Sequence, residues 1–397
     1  MALAPILNSK LLKMDTGVLE KRFEEIYGTT VEHLYFAPGR VNLIGEHIDY
    51  NGGRVFPCAL SFGTYLAVTP RDDQKIAFAS MNQTFRLECD PTIFEHKPAE
   101  WVKYPLGVVK EFADRGFNPW GFDILYFGDI PNGAGLSSSA SIEVVTAFML
   151  NDLLHAGLDV VELVKMSQRA ENLFVGMNCG IMDQFAVGMG KKEHAIALDC
   201  GTLDYDLIPL HLNGYKLVIT NSNKNHDLVT SEYNVRRSQC EQALLDINQA
   251  LNVKHLCDLS EEELERARHL ISDETVYRRA RHAVTENARV NEAIDVLQRG
   301  DLVRFGELMN ESHRSLKEDY EVTGVEMDTL AEEGQKLPGV LGSRITGGGF
   351  GGCTVSLVKE DNVQEFIEKL ASVYHDKVGL NAEFYVADIG DGVRKIY

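Results

Sequence analysis

No Gly-Lys-Ser/Thr triplet closes any glycine loop in this chain, which excludes a Walker A nucleotide site. No Cys-x-x-Cys pair occurs either. The seven cysteines are odd in number and scattered, a pattern that argues against a thiolate metal cluster and points to a reducing compartment. No apolar run reaches the ~20 residues that span a bilayer. The opening MALAPILNSKLLKMD has neither a long apolar core nor a cleavage site for export, so a cytoplasmic protein is expected. Positive charge is scarce: 39 Lys and Arg face 59 Asp and Glu, a formal net charge of −20. That balance argues against nonspecific nucleic-acid binding and against anionic membranes. Any anionic substrate must therefore be held by local positive potential.

The rest of the composition, 44% hydrophobic and 25% charged, is that of a globular protein, and 397 residues favour two domains. Residues 122–130 (FDILYFGDI) alternate like a strand, and 142–154 carry apolar residues at helical spacing. Between them lies Pro131-Asn-Gly-Ala-Gly-Leu-Ser-Ser-Ser-Ala-Ser. A helix beginning at 138–140 would aim its unpaired N–H groups and positive dipole end into this turn. Gly133 and Gly135 would let an anion reach the backbone, and three serines add hydroxyls for phosphate or magnesium. An ordinary turn with an N-cap has the same composition.

In chain order, a helix is expected over 16–27 and a short strand at 33–38, stopped by Pro38. Then comes Gly39-Arg-Val-Asn-Leu-Ile-Gly-Glu-His-Ile-Asp-Tyr-Asn-Gly-Gly, where Arg40, Glu46, His47, Asp49 and Tyr50 fall within eleven positions. Such a cluster can grip a polyhydroxylated ligand or serve only as a turn with salt bridges. Residues 53–89 read as short β segments in one mixed sheet, and 101–113 and 160–174 as helices, the second carrying Glu171. Asp183 stands among Ile181, Met182, Phe185 and Val187, as a helix N-cap or as a carboxylate held for chemistry. After Cys200, strands are expected at 204–210 and 215–221. Helices follow at 228–250, 260–271, 276–299, 301–316 and 326–336, with Tyr233 near the start of the first. The stretch 342–352 holds five glycines in six positions. Gly347, Gly349 and Gly352 fit G-x-G-x-x-G, but the apolar run CTVSLV follows in place of a helix, which excludes a dinucleotide fold. A helix at 362–374 and a strand at 383–387 end the chain.

Taken together, three stretches resemble, in order, the motifs of the GHMP small-molecule kinases. Residues 39–53 resemble the galactokinase signature of that family, Gly133-Ala-Gly-Leu-Ser-Ser-Ser-Ala-Ser its phosphate loop, and Gly347-Gly-Gly-Phe-Gly-Gly-Cys its C-terminal glycine loop. Arg278-Arg-Ala-Arg-His-Ala-Val-Thr-Glu-Asn also resembles a helix of the galactokinases. The resemblance implies an α+β, two-lobed fold. An N-terminal lobe (1–205) has a mixed sheet like the second domain of ribosomal protein S5. An α+β C-terminal lobe (206–397) faces it across an active-site cleft. It also implies roles. Gly133, Ala134, Gly135, Leu136, Ser137, Ser138 and Ser139 would wrap the triphosphate of ATP. Ser139 and Glu171 would bind Mg2+. Glu46, His47, Ile48, Asp49 and Tyr233 would hold D-galactose. Asp183 would be the catalytic carboxylate and Arg40 the transition-state stabiliser. The implied reaction is ATP-dependent phosphorylation of the anomeric hydroxyl, by a monomer that binds neither nucleic acid nor membrane. An N-acetylgalactosamine kinase and a non-catalytic galactose/ATP sensor are the alternatives.

Overall fold

The computed structural model describes residues 15–95, 100–131, 135–224 and 229–397. Among them the strands form three sheets. The first runs in the order Arg394–Lys395, His33–Asn42, Pro57–Pro70, Phe122–Gly128, Ile76–Ser80, Leu87–Cys89. Its pairs are antiparallel except Ile76–Ser80 with Phe122–Gly128, so the sheet is mixed. Alternate side chains of His33–Asn42 serve opposite faces. Leu34 and Phe36 join Leu19 and Phe23 of the helix Thr16–Tyr27. Tyr35 and Ala37 join Leu106, Val144 and Leu163 from the helices Lys103–Asp114, Ser138–Leu153 and Val160–Arg169.

Pro38 does not end its strand. Gly63, opposite it, turns both its N–H and its C=O toward Asp129, so the proline faces a non-bonded position and its missing N–H costs no ladder bond. The register shifts just after it, between Pro38 and Arg40, which re-aims the chain into the signature stretch. The β segments expected between 53 and 70 also divide differently. Arg54–Val55 joins a separate sheet with His194–Asp199 and Tyr205–Pro209, while Pro57–Pro70 is a single strand.

In the second lobe Val340–Thr346, Cys353–Lys359, Tyr215–Asn221 and Glu383–Ala387 form an antiparallel sheet in that order. One face packs on the helices Val325–Gln335 and Val363–Val378 through Val218, Leu330, Val358, Phe366 and Leu370. On the other, Leu217, Ile219 and Ile345 share a cluster with Val290 of the helix Glu274–Gln298 and Leu308 of Leu302–Ser315, and with Val41, Ile44 and Phe56 of the first lobe. The lobes are therefore joined by a common core. A division at 205/206 falls at the edge of Tyr205–Pro209, and Arg394–Lys395 returns to the first sheet, where Leu34 also bonds the backbone of Ile396 and Tyr397. All seven cysteines are free thiols. Among the described residues no helix is long and apolar enough to cross a membrane.

Candidate active site

A cleft of about 340 Å³ opens between the lobes. Its floor is the tip of the helix Ser138–Leu153, whose first intrahelical acceptor, Ser137 O, takes the N–H of Ser141. The N–H groups before Ser141 are thus left for a ligand, with the positive helix end behind them. Ser137 sits at φ 61°, a left-handed backbone unusual for a non-glycine residue, and its hydroxyl caps nothing. It donates instead to Asp183 Oδ2 at 2.6 Å. The other oxygen of Asp183 takes Arg40 Nε at 2.9 Å and lies 2.8 Å from Nη2. Arg40 Nη1 reaches back to Gly135 O at 2.7 Å. One buried guanidinium therefore ties the loop to the carboxylate. Asp183 is the second residue of the helix Met182–Met189, whose N-cap is Ile181, so the capping reading does not hold.

The acidic group at the other end of the floor is Glu171, on a π-turn (Ala170–Val175) that ends the helix Val160–Arg169. Glu171 accepts from Gln184 Nε2 at 2.6 Å. Burial and the nearby charge of Asp183 raise its pKa to about 7. Behind it Glu143 is fully buried, and burial with the charge of Glu171 drives its pKa well up. Oε1 of Glu143 and Oε1 of Gln184 have no protein partner. Ser139 lines the cleft beside them. This set of hard oxygen donors fits a divalent cation of the magnesium type.

The signature stretch forms the opposite wall. Glu46 is buried and accepts from Gly347 N at 2.8 Å and from Asn42 Nδ2, with Arg344 Nη2 at 3.4 Å. Burial raises its pKa against the opposing pull of Arg344 and Arg40. Asp49 accepts from Tyr50 N and Met182 N, and burial together with Asp183 lifts its pKa to about 6. His47 stands at φ 61° with both ring nitrogens engaged by Tyr50 and Gly348. Tyr233, in the helix Val229–Ile247, packs 5.3 Å from the His47 ring. The glycine hairpin closes the cleft from the second lobe. A Cβ on Gly347 (φ 86°) would stand 2.9 Å from Gly135 O, and one on Gly349 (φ 77°) 2.4 Å from Val322 O. Only glycine permits so close an approach.

The structure thus brings Arg40, Glu46, His47, Asp49, Gly135, Ser137, Ser138, Ser139, Glu171, Asp183 and Tyr233 to one cleft. Leu136 borders it, but its side chain is in the core and its carbonyl accepts from Arg40 N. Gly133 and Ala134 lie outside the described residues. Ile48, expected among the sugar ligands, has its apolar side chain fully buried in the core, and its carbonyl closes the turn by accepting from Asn51 and Gly53. Sequence reasoning missed Arg344, which sits unremarked inside the glycine stretch. It also missed a side cavity of about 170 Å³ beyond Ser138 and Ser139, walled by Trp101, Tyr104, Asn82 and Gln83. Two aromatics three residues apart at the start of an otherwise ordinary helical pattern were its signal.

Gly180 offers a sharp test of the wall. A Cβ there would lie 1.9 Å from Asp49 Oδ2, so Gly180→Ala must displace that carboxylate. If Asp49 holds the sugar, as the resemblance implies, a rise of about 10- to 100-fold in sugar KM with ATP KM nearly unchanged is expected, read from steady-state kinetics with each substrate varied. Equal rises in both constants would deny Asp49 its separate role.

A two-lobed fold with a serine loop at a helix tip and a glycine hairpin facing it defines a GHMP-type small-molecule kinase. Family models described as GHMP kinases N terminal domain and GHMP kinases C terminal match residues 103–191 and 293–376. Another, described as the galactokinase galactose-binding signature, matches residues 21–70. The galactokinase of Clostridium beijerinckii is 51% identical over 385 residues, which are 96% of this chain and 99% of that protein. That of Fusobacterium nucleatum is 52% identical over 386 residues, 95% of this chain and 99% of that one. The crystal structure of Lactococcus lactis galactokinase complexed with galactose matches with a TM-score of 0.94 at 44% identity, covering 96% of this chain and 100% of that chain. A mevalonate kinase, at 18% identity, 89% coverage of this chain and a TM-score of 0.62, shares the fold. The chain belongs to the galactokinase family.

Proposed function

We propose that this protein transfers the γ-phosphoryl group of ATP to the anomeric hydroxyl of D-galactose, giving galactose 1-phosphate and ADP. The observation that carries the reading is the placement of Asp183. It lies where the phosphate loop meets the polar wall, held by Ser137 and Arg40 and partly open to the cleft. The sugar is bound against Glu46, Asp49 and Tyr233, with His47 behind them. Its anomeric hydroxyl faces Asp183, which orients it and takes its proton as the P–O bond forms. The triphosphate lies along the N–H groups of Gly135 to Ser139, and the planar base fills the cavity between Trp101 and Tyr104. Phosphoryl transfer has a loose transition state, so positioning and fixed charge dominate catalysis. Arg40 balances Asp183 and faces the charge that spreads over the moving group. Ser139 and Glu171 would hold Mg2+, which would neutralise charge on the phosphate oxygens. These few local charges let a protein of net charge −20 hold a polyanion.

The test is ADP release with magnesium-ATP and D-galactose, D-glucose, N-acetylgalactosamine, mevalonate or homoserine. Turnover with galactose and little with glucose is expected, because a site built to bond one hydroxyl leaves groups unpaired when it is inverted. Preference for N-acetylgalactosamine, or silence with all five despite galactose binding, would overturn the reading.

Galactose affinity should also depend on pH. Asp49 takes a proton near pH 6, and only its ionised form keeps, on both oxygens, a lone pair beyond those that meet Tyr50 N and Met182 N with which to accept sugar hydroxyls. Affinity is therefore expected to be constant above about pH 7 and to fall roughly tenfold per unit well below 6. Calorimetric titration from pH 5 to 8 reads this directly; a flat profile would contradict it.

A further inference from the structure

The helix Glu274–Gln298 presents a polar face that the reaction itself does not use. Its end nearest the signature holds backbone: Glu286 accepts from Gly45 N at 3.0 Å, His282 Nε2 donates to Glu46 O at 3.0 Å, and Asn287 accepts from Arg54 N at 2.8 Å. One turn earlier, three arginines converge on residues 318–321. Arg278 donates to Glu318 O at 2.9 Å, Arg279 to Asp319 O and the Glu321 carboxylate, and Arg281 to the Asp319 carboxylate. A fourth, Arg236, donates to Tyr320 O and Glu321 O, each at 2.8 Å. The segment so gripped is a π-turn, Leu316–Tyr320, followed by Glu321 at φ 56°.

This turn carries two supports to the cleft. Val322 O accepts from Phe350 N at 2.7 Å, beneath the glycine hairpin. Tyr320 starts a buried chain of hydrogen bonds: Tyr320 Oη to Tyr50 Oη at 2.8 Å, Tyr50 Oη to His47 Nδ1 at 2.7 Å, and His47 Nε2 to Gly348 O at 3.1 Å. The direction of each bond is forced. Gly348 O can only accept, so Nε2 carries the proton. Burial pushes the His47 pKa down to about 3, leaving Nδ1 bare to accept from Tyr50. Tyr50 must then accept from Tyr320, and Tyr320 from the Cys240 thiol 3.1 Å away.

We infer that Tyr320 and Tyr50 are positioning residues for the reaction. Through the arginine-held turn they fix His47 as its Nε2–H tautomer, and that tautomer holds Gly348 and the glycine hairpin over the bound sugar. The inference rests on the galactokinase reading for its kinetic part alone, since the tautomer is a property of the free enzyme.

Tyr50→Phe and Tyr320→Phe each remove one oxygen and keep the ring. Both are expected to raise galactose KM by about tenfold, the size of one lost hydrogen bond, with ATP KM unchanged. Imidazole 15N spectra of the free wild-type enzyme, assigned by the signal lost in His47→Gln, should show the Nε2–H tautomer. In Tyr50→Phe the same signals should move toward a tautomer mixture. A wild-type Nδ1–H tautomer, or unchanged galactose KM in both folded variants, would overturn the inference. Absence of galactose turnover by the wild type would instead count against the reaction, leaving the tautomer result to stand or fall separately.

Discussion

Asp183→Asn is expected to lower kcat by about 10²- to 10⁴-fold, the range of a lost acid–base group, while galactose still binds. The change is nearly isosteric. An asparagine can keep Oδ1 against Arg40 and, by reversing donor and acceptor, keep its other atom against the Ser137 hydroxyl. Fold and loop position should therefore survive. What disappears is the negative charge and the ability to take a proton from the anomeric hydroxyl. Parallel measurements of turnover and of calorimetric galactose affinity separate these effects. Near-normal turnover would deny Asp183 its catalytic role, and loss of galactose binding would make it a sugar ligand first.

Arg40→Lys should cost about 10²- to 10³-fold in kcat, comparable to removal of one preorganised donor to developing charge. Lysine retains the charge, yet its single ammonium cannot hold Asp183 at 2.8 Å and Gly135 O at 2.7 Å from one rigid fork. It also leaves space in a side chain that is only 3% exposed. Lysine separates geometry from charge better than alanine, which would leave Asp183 unpaired beside a cavity. The readout is kcat together with the melting temperature. Activity within about threefold of wild type would show that charge alone suffices.

The site was more legible in the sequence than the fold around it. A phosphate-binding loop announces itself through local backbone requirements, glycines and serines between a strand and a helix, and the helix Ser138–Leu153 begins within the expected 138–140. The strands Tyr215–Asn221 and Glu383–Ala387 and the helix Thr16–Tyr27 likewise lie where their periodicity places them. Periodicity says nothing about partners, however. It cannot show that Arg54–Val55 leaves the first sheet, that Pro38 faces an unpaired position, or that Arg394–Lys395 returns across the molecule. The support of the site was hidden for the same reason. Arg344, Tyr320 and Glu143 are polar residues in apolar or helical surroundings, and their meaning comes from contacts distant in sequence, such as that between Arg344 and Asn42. Ile48 shows the converse limit: its neighbourhood in a motif does not reveal that its side chain belongs to the core.

The central claim is geometric and is tested most directly by a crystal structure with galactose, magnesium and a non-hydrolysable ATP analogue. The expected result places the anomeric oxygen about 3 Å from an Asp183 carboxylate oxygen, the terminal phosphate beside Arg40, and the base between Trp101 and Tyr104. A galactose whose anomeric oxygen points away from Asp183, or a nucleotide whose phosphates avoid the serine loop, would contradict it.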